Sequence, residues 1–197
     1  HDLGSTAFTV TAGTLFQAAD ITAVTLASTG AEATANVGEY DITPSAASPG
    51  ANNYDITYSI GKLSVGKKDL EVSADDKNII YGDNAPTFTL SYDGFVNGED
   101  VGDLANTSFA LNTDYSPGDD IGTYTITLAM GSATDNNYNF NPLNNGTLTV
   151  GKREITITAD NQNKIYGENH DLGSTAFTVT AGTLFQAADI TAVTLAS

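Results

Sequence analysis

Short runs of alternating apolar and polar residues recur along the chain. Leu70, Val72 and Ala74 alternate with Glu71 and Ser73, and Ile155, Ile157 and Ala159 alternate with two threonines. Phe88, Leu90 and Tyr92, then Tyr124, Ile126 and Leu128, then Leu148 and Val150 follow the same rule. A period of two places alternate side chains on opposite faces of a strand. Each run therefore predicts a half-buried strand of an antiparallel sheet, apolar side inward and Thr or Ser outward. Turn-forming residues separate the runs: Tyr81-Gly82-Asp83-Asn84, Asn97-Gly98, Ser116-Pro117-Gly118-Asp119 and Asn145-Gly146. One segment departs from the pattern. Val101 and Leu104 are spaced for a single helical turn, and Glu99 and Asp100 suit its N-terminus. The expected fold class is mainly β, with at most one short helical turn per module.

The chain also repeats itself. Residues 1–28 return unchanged as residues 170–197, an offset of 169. Identity at every surface position is not a folding requirement, so the chain reads as a window on a tandem array. An older repeat lies inside this period. Gly66-Lys67-Lys68-Asp69-Leu70 matches Gly151-Lys152-Arg153-Glu154-Ile155, and Tyr81 matches Tyr166, 85 residues on. Val37-Gly38-Glu39-Tyr40 matches Ile121-Gly122-Thr123-Tyr124, and Asn52-Asn53-Tyr54 matches Asn136-Asn137-Tyr138. These matches divide the chain into the C-terminal part of an A module (1–66), a complete B module (67–151) and the N-terminal part of the next A module (152–197). Each partial module should present an unpaired sheet edge.

Composition narrows the function. There are 24 Asp plus Glu against 7 Lys plus Arg, a formal charge of −17. A surface this negative repels phosphate backbones and anionic headgroups, which excludes nucleic acid and membrane surfaces as partners. No run approaches the roughly 20 apolar residues of a membrane span. The chain has no Cys, so it has no disulfide framework and no thiol chemistry. His occurs once per period, as His1 and His170, beside a Tyr-Gly-Glu-Asn turn. With no Cys and no second His in reach, a nucleophile–base pair is not expected, and the chain reads as a non-enzyme.

The residues that repeat resemble a known family. A basic-start strand ends in Tyr81-Gly82-Asp83, or Tyr166-Gly167-Glu168. Then come Phe-Val-Asn-Gly-Glu-Asp at 95–100, the Gly-x-Tyr of Tyr40 and Tyr124, the Asn-Asn-Tyr of Tyr54 and Tyr138, and a closing Gly-x-Leu-x-Val-Gly-Lys. This pattern is similar to the MBG domain of the YGX type, found in tandem in large bacterial surface proteins. It departs from the pattern in A, where Leu184-Phe185-Gln186-Ala187-Ala188-Asp189 replaces the Phe-Val-Asn-Gly-Glu-Asp stretch. The resemblance implies a secreted, extracellular adhesin or stalk at the bacterial cell surface, built of small β-grasp-like modules. An immunoglobulin-like sandwich fits about 85 residues of short alternating strands equally well. The expected partners are neighbouring repeats, surface glycans, or other copies of the chain joined by strand exchange.

Candidate chemistry is sparse. Tyr81, Gly82 and Asp83, with Tyr166, Gly167 and Glu168, read as structural turns: a packed ring, a positive φ and a closing acid. Calcium is the one cofactor the acidic turns could serve, with Asp75, Asp76, Asp119 and Asp120 as ligands near a module junction. No dense Asp-x-Asp-x-Asp-Gly loop supports it. Tyr92 and Phe95, with Tyr115 and Phe140, are the candidate stacking platforms for a glycan. Lys62 is the candidate for an isopeptide cross-link, although its flanking residues argue for a solvent-facing side chain.

Overall fold

A computed structural model describes residues 3–195; His1 lies outside the described residues. It contains short strands and single 3-10 turns, with no α-helix among the described residues. Two compact units are formed. One comprises His1–Val72, Tyr92–Phe109 and Met130–Pro142; the other comprises Ser73–Ser91, Ala110–Ala129 and Leu143–Ser197.

The first unit holds the antiparallel sheet β1-β2-β3, from β1 (Ala23–Ala27), β2 (Gly38–Ser48) and β3 (Gly61–Val65). Ile21, Val24 and Ala47 form its small core, covered by Phe8, Leu15, Leu26, Ala51, Tyr54 and Ile56. The unit also holds most of a sheet ordered β6-β4-β9, from β4 (Lys68–Ala74), β6 (Leu90–Asp93) and β9 (Tyr138–Asn144). Leu70 and Val72 of β4 are fully buried, as the alternation requires. A row of rings closes this part: Tyr92 with Phe95 and Phe109, Phe95 with Tyr138, and Phe109 with Phe140 at 5.0 Å between centroids.

The second unit is built on the sheet β5-β10-β8-β7, from β5 (Lys77–Ile80), β7 (Ala110–Thr113), β8 (Gly122–Ala129) and β10 (Gly146–Gly151). Ile126 and Leu148 are fully buried, while Thr125, Thr127, Thr147 and Thr149 face outward. Burying each such side chain stabilises by about 1.5–3 kcal/mol. The unit also contains the two-stranded sheet of β11 (Thr156–Ala159) and β12 (Phe177–Ala181).

The structure differs from the all-antiparallel expectation at the β5–β10 ladder. β5 runs parallel to β10, with Lys77 opposite Leu148 and Ile80 opposite Gly151. Parallel neighbours need a long crossover and so leave no local turn signal. Asn145-Gly146 also differs from a hairpin turn. β9 and β10 lie in different sheets, and Asn145 is the only residue between them. A Cβ on Gly146 would lie 2.5 Å from the Ala74 carbonyl oxygen, so glycine serves a close approach there. The expected helical turn is present as a 3-10 turn at Val101–Asp103. Gly102 N donates to Asp100 Oδ1 (2.7 Å), and Asp100 N donates to Asp103 Oδ2 (2.8 Å). This reciprocal capping box closes a single turn.

Candidate functional site: the Tyr-Gly-Asp junction

β5 ends at Ile80, and the backbone turns at once. Gly82 takes φ 86°, and Asp83 N donates to Ile80 O at 3.0 Å. Tyr81 N donates to Gly151 O at 2.8 Å, extending the β5–β10 ladder by one rung. Arg153 lies two residues later and reaches back. Its Nε donates to Tyr81 O (2.7 Å), and its terminal nitrogen pairs with Asp83 Oδ1 at 2.6 Å. The Arg153 side chain is only 24 % exposed, so this pair is better shielded than an ordinary surface ion pair. The Tyr115 hydroxyl donates to Asp83 O at 2.7 Å.

The segment after β12 supplies the other half of the contact. The Phe185 ring meets Tyr81 edge-on, with centroids 5.6 Å apart. A Cβ on Gly82 would lie 2.5 Å from Phe185 Cδ2, and one on Gly118 would lie 2.9 Å from Phe185 Cε1. Both glycines are needed for this ring to seat. The Tyr81 hydroxyl donates to Asp189 Oδ1 at 3.2 Å. Burial, then the negative charge of Asp189, raises the Tyr81 hydroxyl above its ordinary pKa. A cavity of about 330 Å³ remains, lined by Tyr81, Ile121, Arg153, Ile155, Phe185 and Ile190. The arrangement is a clamp: an aromatic contact, a forked Arg and two glycine seats fix the segment beyond β10 onto the end of β5. It contains no nucleophile paired with a base.

The other copy of the motif makes the same turn, with Gly167 at φ 87° and Glu168 N donating to Ile165 O (3.2 Å). The Tyr166 ring there is fully exposed. The remaining motif tyrosines work as matched pairs. Tyr54 accepts from Phe16 N and donates to the Asp20 carboxylate; Tyr138 accepts from Val96 N and donates to the Glu99 carboxylate. Tyr40 donates to Asn36 O, and Tyr124 donates to Asp120 O, each four residues back (both 2.8 Å).

A family profile described as MBG domain (YGX type) matches residues 4–64 and again residues 70–149. The chain belongs to this family. MBG domains are typical of surface proteins and are not a known enzyme family. Among curated proteins and solved structures, no match was found. No helix among the described residues is long and apolar enough to cross a membrane.

The other candidate residues of this MBG chain occupy less open positions. Asp75 accepts from the Thr89 and Ser91 hydroxyls, which hold its carboxyl below the usual range, Ser91 contributing most. Asp76 accepts from Thr147 N, and Asp119 from Ser116 N (each 2.7 Å). Among the described residues no three Asp, Glu or His gather into a cation-binding group. Tyr92 and Phe95 are half-buried within the ring row. Tyr115 and Phe140, expected as exposed platforms, are instead 6 % and 5 % exposed. Phe140 sits at an inward position of β9, and Tyr115 packs on Tyr124 while its hydroxyl bonds Asp83. Lys62 is exposed and pairs with Asp41, directly opposite on β2, at 2.7 Å. The His170 ring Nε2 lies 2.6 Å from Gln162 Oε1.

The clamp is what reading the sequence missed. Its one visible signal was Arg153, the chain's only arginine, set two residues past the β10 run.

Proposed function

We propose that the chain is a spacer: a stalk segment of a large, repetitive, secreted bacterial adhesin or surface filament that holds a distal binding region away from the cell. The observation that supports this reading is the Tyr81-Gly82-Asp83 clamp. A spacer needs a reproducible length. A bare Gly-Lys junction would leave the next segment free to swing, whereas the Arg153 fork and the Phe185 seat remove that freedom. The 28 identical residues in the two copies add support, because interchangeable units let length change by recombination without loss of a site.

Small-angle scattering on tandem copies of the 169-residue period tests the reading. The maximum dimension should grow in direct proportion to the number of copies. Growth with roughly the square root of length, as in a flexible linker, would overturn it. A weak, multivalent glycan- or mucin-binding repeat is the second reading, favoured by the part of the Tyr92 and Phe95 rings that stays accessible. Specific binding on a glycan array, lost in the Tyr92→Ala, Phe95→Ala double variant, would replace the spacer with that reading.

A further inference from the structure

Two turns of the chain are counterparts, and each touches a segment of the repeat that follows it. In the first, Glu32-Ala33-Thr34-Ala35, Ala35 N donates to Glu32 O (3.1 Å); in the second, Ser116-Pro117-Gly118-Asp119, Asp119 N donates to Ser116 O (3.0 Å). Each runs into a Gly-x-Tyr strand, and the Tyr40 and Tyr124 hydroxyls donate to the carbonyl just past the turn, that of Asn36 and of Asp120. The touched segments are counterparts too. Val96 N and Phe16 N each donate to a motif tyrosine hydroxyl, and Phe185 is the second copy of Phe16.

The two contacts differ in kind. The first is polar: Asn97 Nδ2 donates to Ala33 O at 3.1 Å. Asn137 reinforces it, with Oδ1 accepting from Val37 N (3.0 Å) and Nδ2 donating to Asn36 Oδ1 (2.9 Å). The second is apolar. Gly118 takes φ 101°, and a Cβ there would lie 2.9 Å from Phe185 Cε1. Thr34 holds the Gly118 position in the first turn, and Val96 holds the Phe185 position in the first contact. A threonine against Phe185 would occupy the place of the ring. A valine against Gly118 would leave the glycine seats empty, and the atoms lining an empty seat lose their contacts.

We propose that this turn is a docking surface that selects the type of the next module. Gly118 and Phe185 let an A module follow B and leave a second B poorly seated, while Thr34 bars an A module from following A. Specificity here comes from a clash as well as from a fit, and the pair fixes the A-B alternation. The inference holds for any tandem array of these modules, whether or not it serves as a spacer.

The full chain carries the test, because chymotrypsin cuts after an accessible phenylalanine or tyrosine. A variant with Ser116→Glu, Pro117→Ala, Gly118→Thr and Asp119→Ala writes the first turn into the second without requiring a positive φ. It should speed cleavage after Phe185 roughly tenfold, as expected for local opening, while cleavage after Tyr124, inside β8, stays slow. A control that keeps the glycine, Ser116→Glu with Asp119→Ala, should leave the Phe185 rate unchanged. No rise in the first variant, or an equal rise in both, overturns the proposal. A rescue at the other contact does not depend on that swap. Val96→Phe should lower the melting midpoint by a few degrees, and adding Ala33→Pro with Thr34→Gly, the residues of the second turn, should restore it. A midpoint that Val96→Phe leaves unmoved, or that the added turn residues do not restore, overturns the proposal as well.

Discussion

The same 28 residues occur twice in this molecule, and their described parts differ in structure. In both copies the local bonds are the same. Asp20 N donates to Gln17 O and Asp189 N to Gln186 O; Val24 N donates to Ser5 O and Val193 N to Ser174 O. The strands are not the same. Ala23–Ala27 is a strand in the first copy, where β2 lies beside it, and the described part of its counterpart, residues 192–195, forms none. Phe177–Ala181 is a strand in the second copy, where β11 lies beside it, and Phe8–Ala12 is not. Short-range turns are thus encoded in the segment itself, while strand state is set by the neighbour. The rings obey the same rule: Phe16 is 88 % exposed, and Phe185, seated on Gly82, is 37 %.

The sharpest way to break this comparison is at the glycine seat. Gly82→Val meets both a positive φ and the Phe185 ring, and should cost about 2–4 kcal/mol, combining backbone strain with overpacking. Gly167→Val has the same φ with open space around it, and should cost about 1–2 kcal/mol. Urea denaturation of the two variants, monitored by tyrosine fluorescence, gives the difference directly; equal shifts would mean that Phe185 does not seat on Gly82.

A milder change removes the rings one at a time. Phe185→Ala should destabilise by about 1–2 kcal/mol through lost apolar burial, whereas Phe16→Ala should change the melting midpoint negligibly. Equal effects would show that the two copies share one environment. Arg153→Lys keeps the charge but loses the fork. It should raise amide exchange at Tyr81 severalfold, read by hydrogen exchange, with little change in global stability.

The smallest effect is the pH dependence of the first copy. The Tyr54 hydroxyl, then Gln17 N, hold the Asp20 carboxyl below its ordinary value of 3.8. Its contribution to stability is therefore present above that value and lost as pH falls through the lower folded value. The same bond to Asp20 raises Tyr54 above 10.0, so that contribution is complete below pH 10 and lost as pH rises through the folded value. Tyr54→Phe should flatten both limbs of a melting-temperature profile against pH.

Much of the fold was legible in the sequence. The alternation at Leu70–Ala74, Tyr124–Leu128 and Leu148–Val150 gave β4, β8 and β10 their inward faces, and Glu99-Asp100 marked the helical turn at Val101–Asp103, while the 3-10 turns at Thr29–Ala31 and Ala51–Asn53 were not anticipated. β5 was not legible, because Ile79 and Ile80 are adjacent rather than alternating and its parallel partner is distant in sequence. At the junction, the glycine turn was visible from local residue types. The Phe185 contact was not, because nothing local to Tyr81 names a ring more than a hundred residues away. The ring row hid Phe140 for the same reason: an aromatic residue at an inward strand position looks, in sequence, like any other aromatic.

The parallel β5–β10 ladder has a mechanical consequence. Tension applied to the two ends of this stretch of chain enters β5 at Lys77 and leaves β10 at Gly151. On parallel strands those forces point in opposite directions along the ladder. Every rung from Lys77–Leu148 to Ile80–Gly151 is then loaded in shear at once, and the Tyr81–Gly151 and Arg153 bonds lie at the exit point and bear the load with them. An antiparallel hairpin pulled at its open end would unzip one rung at a time; this ladder must yield as a whole.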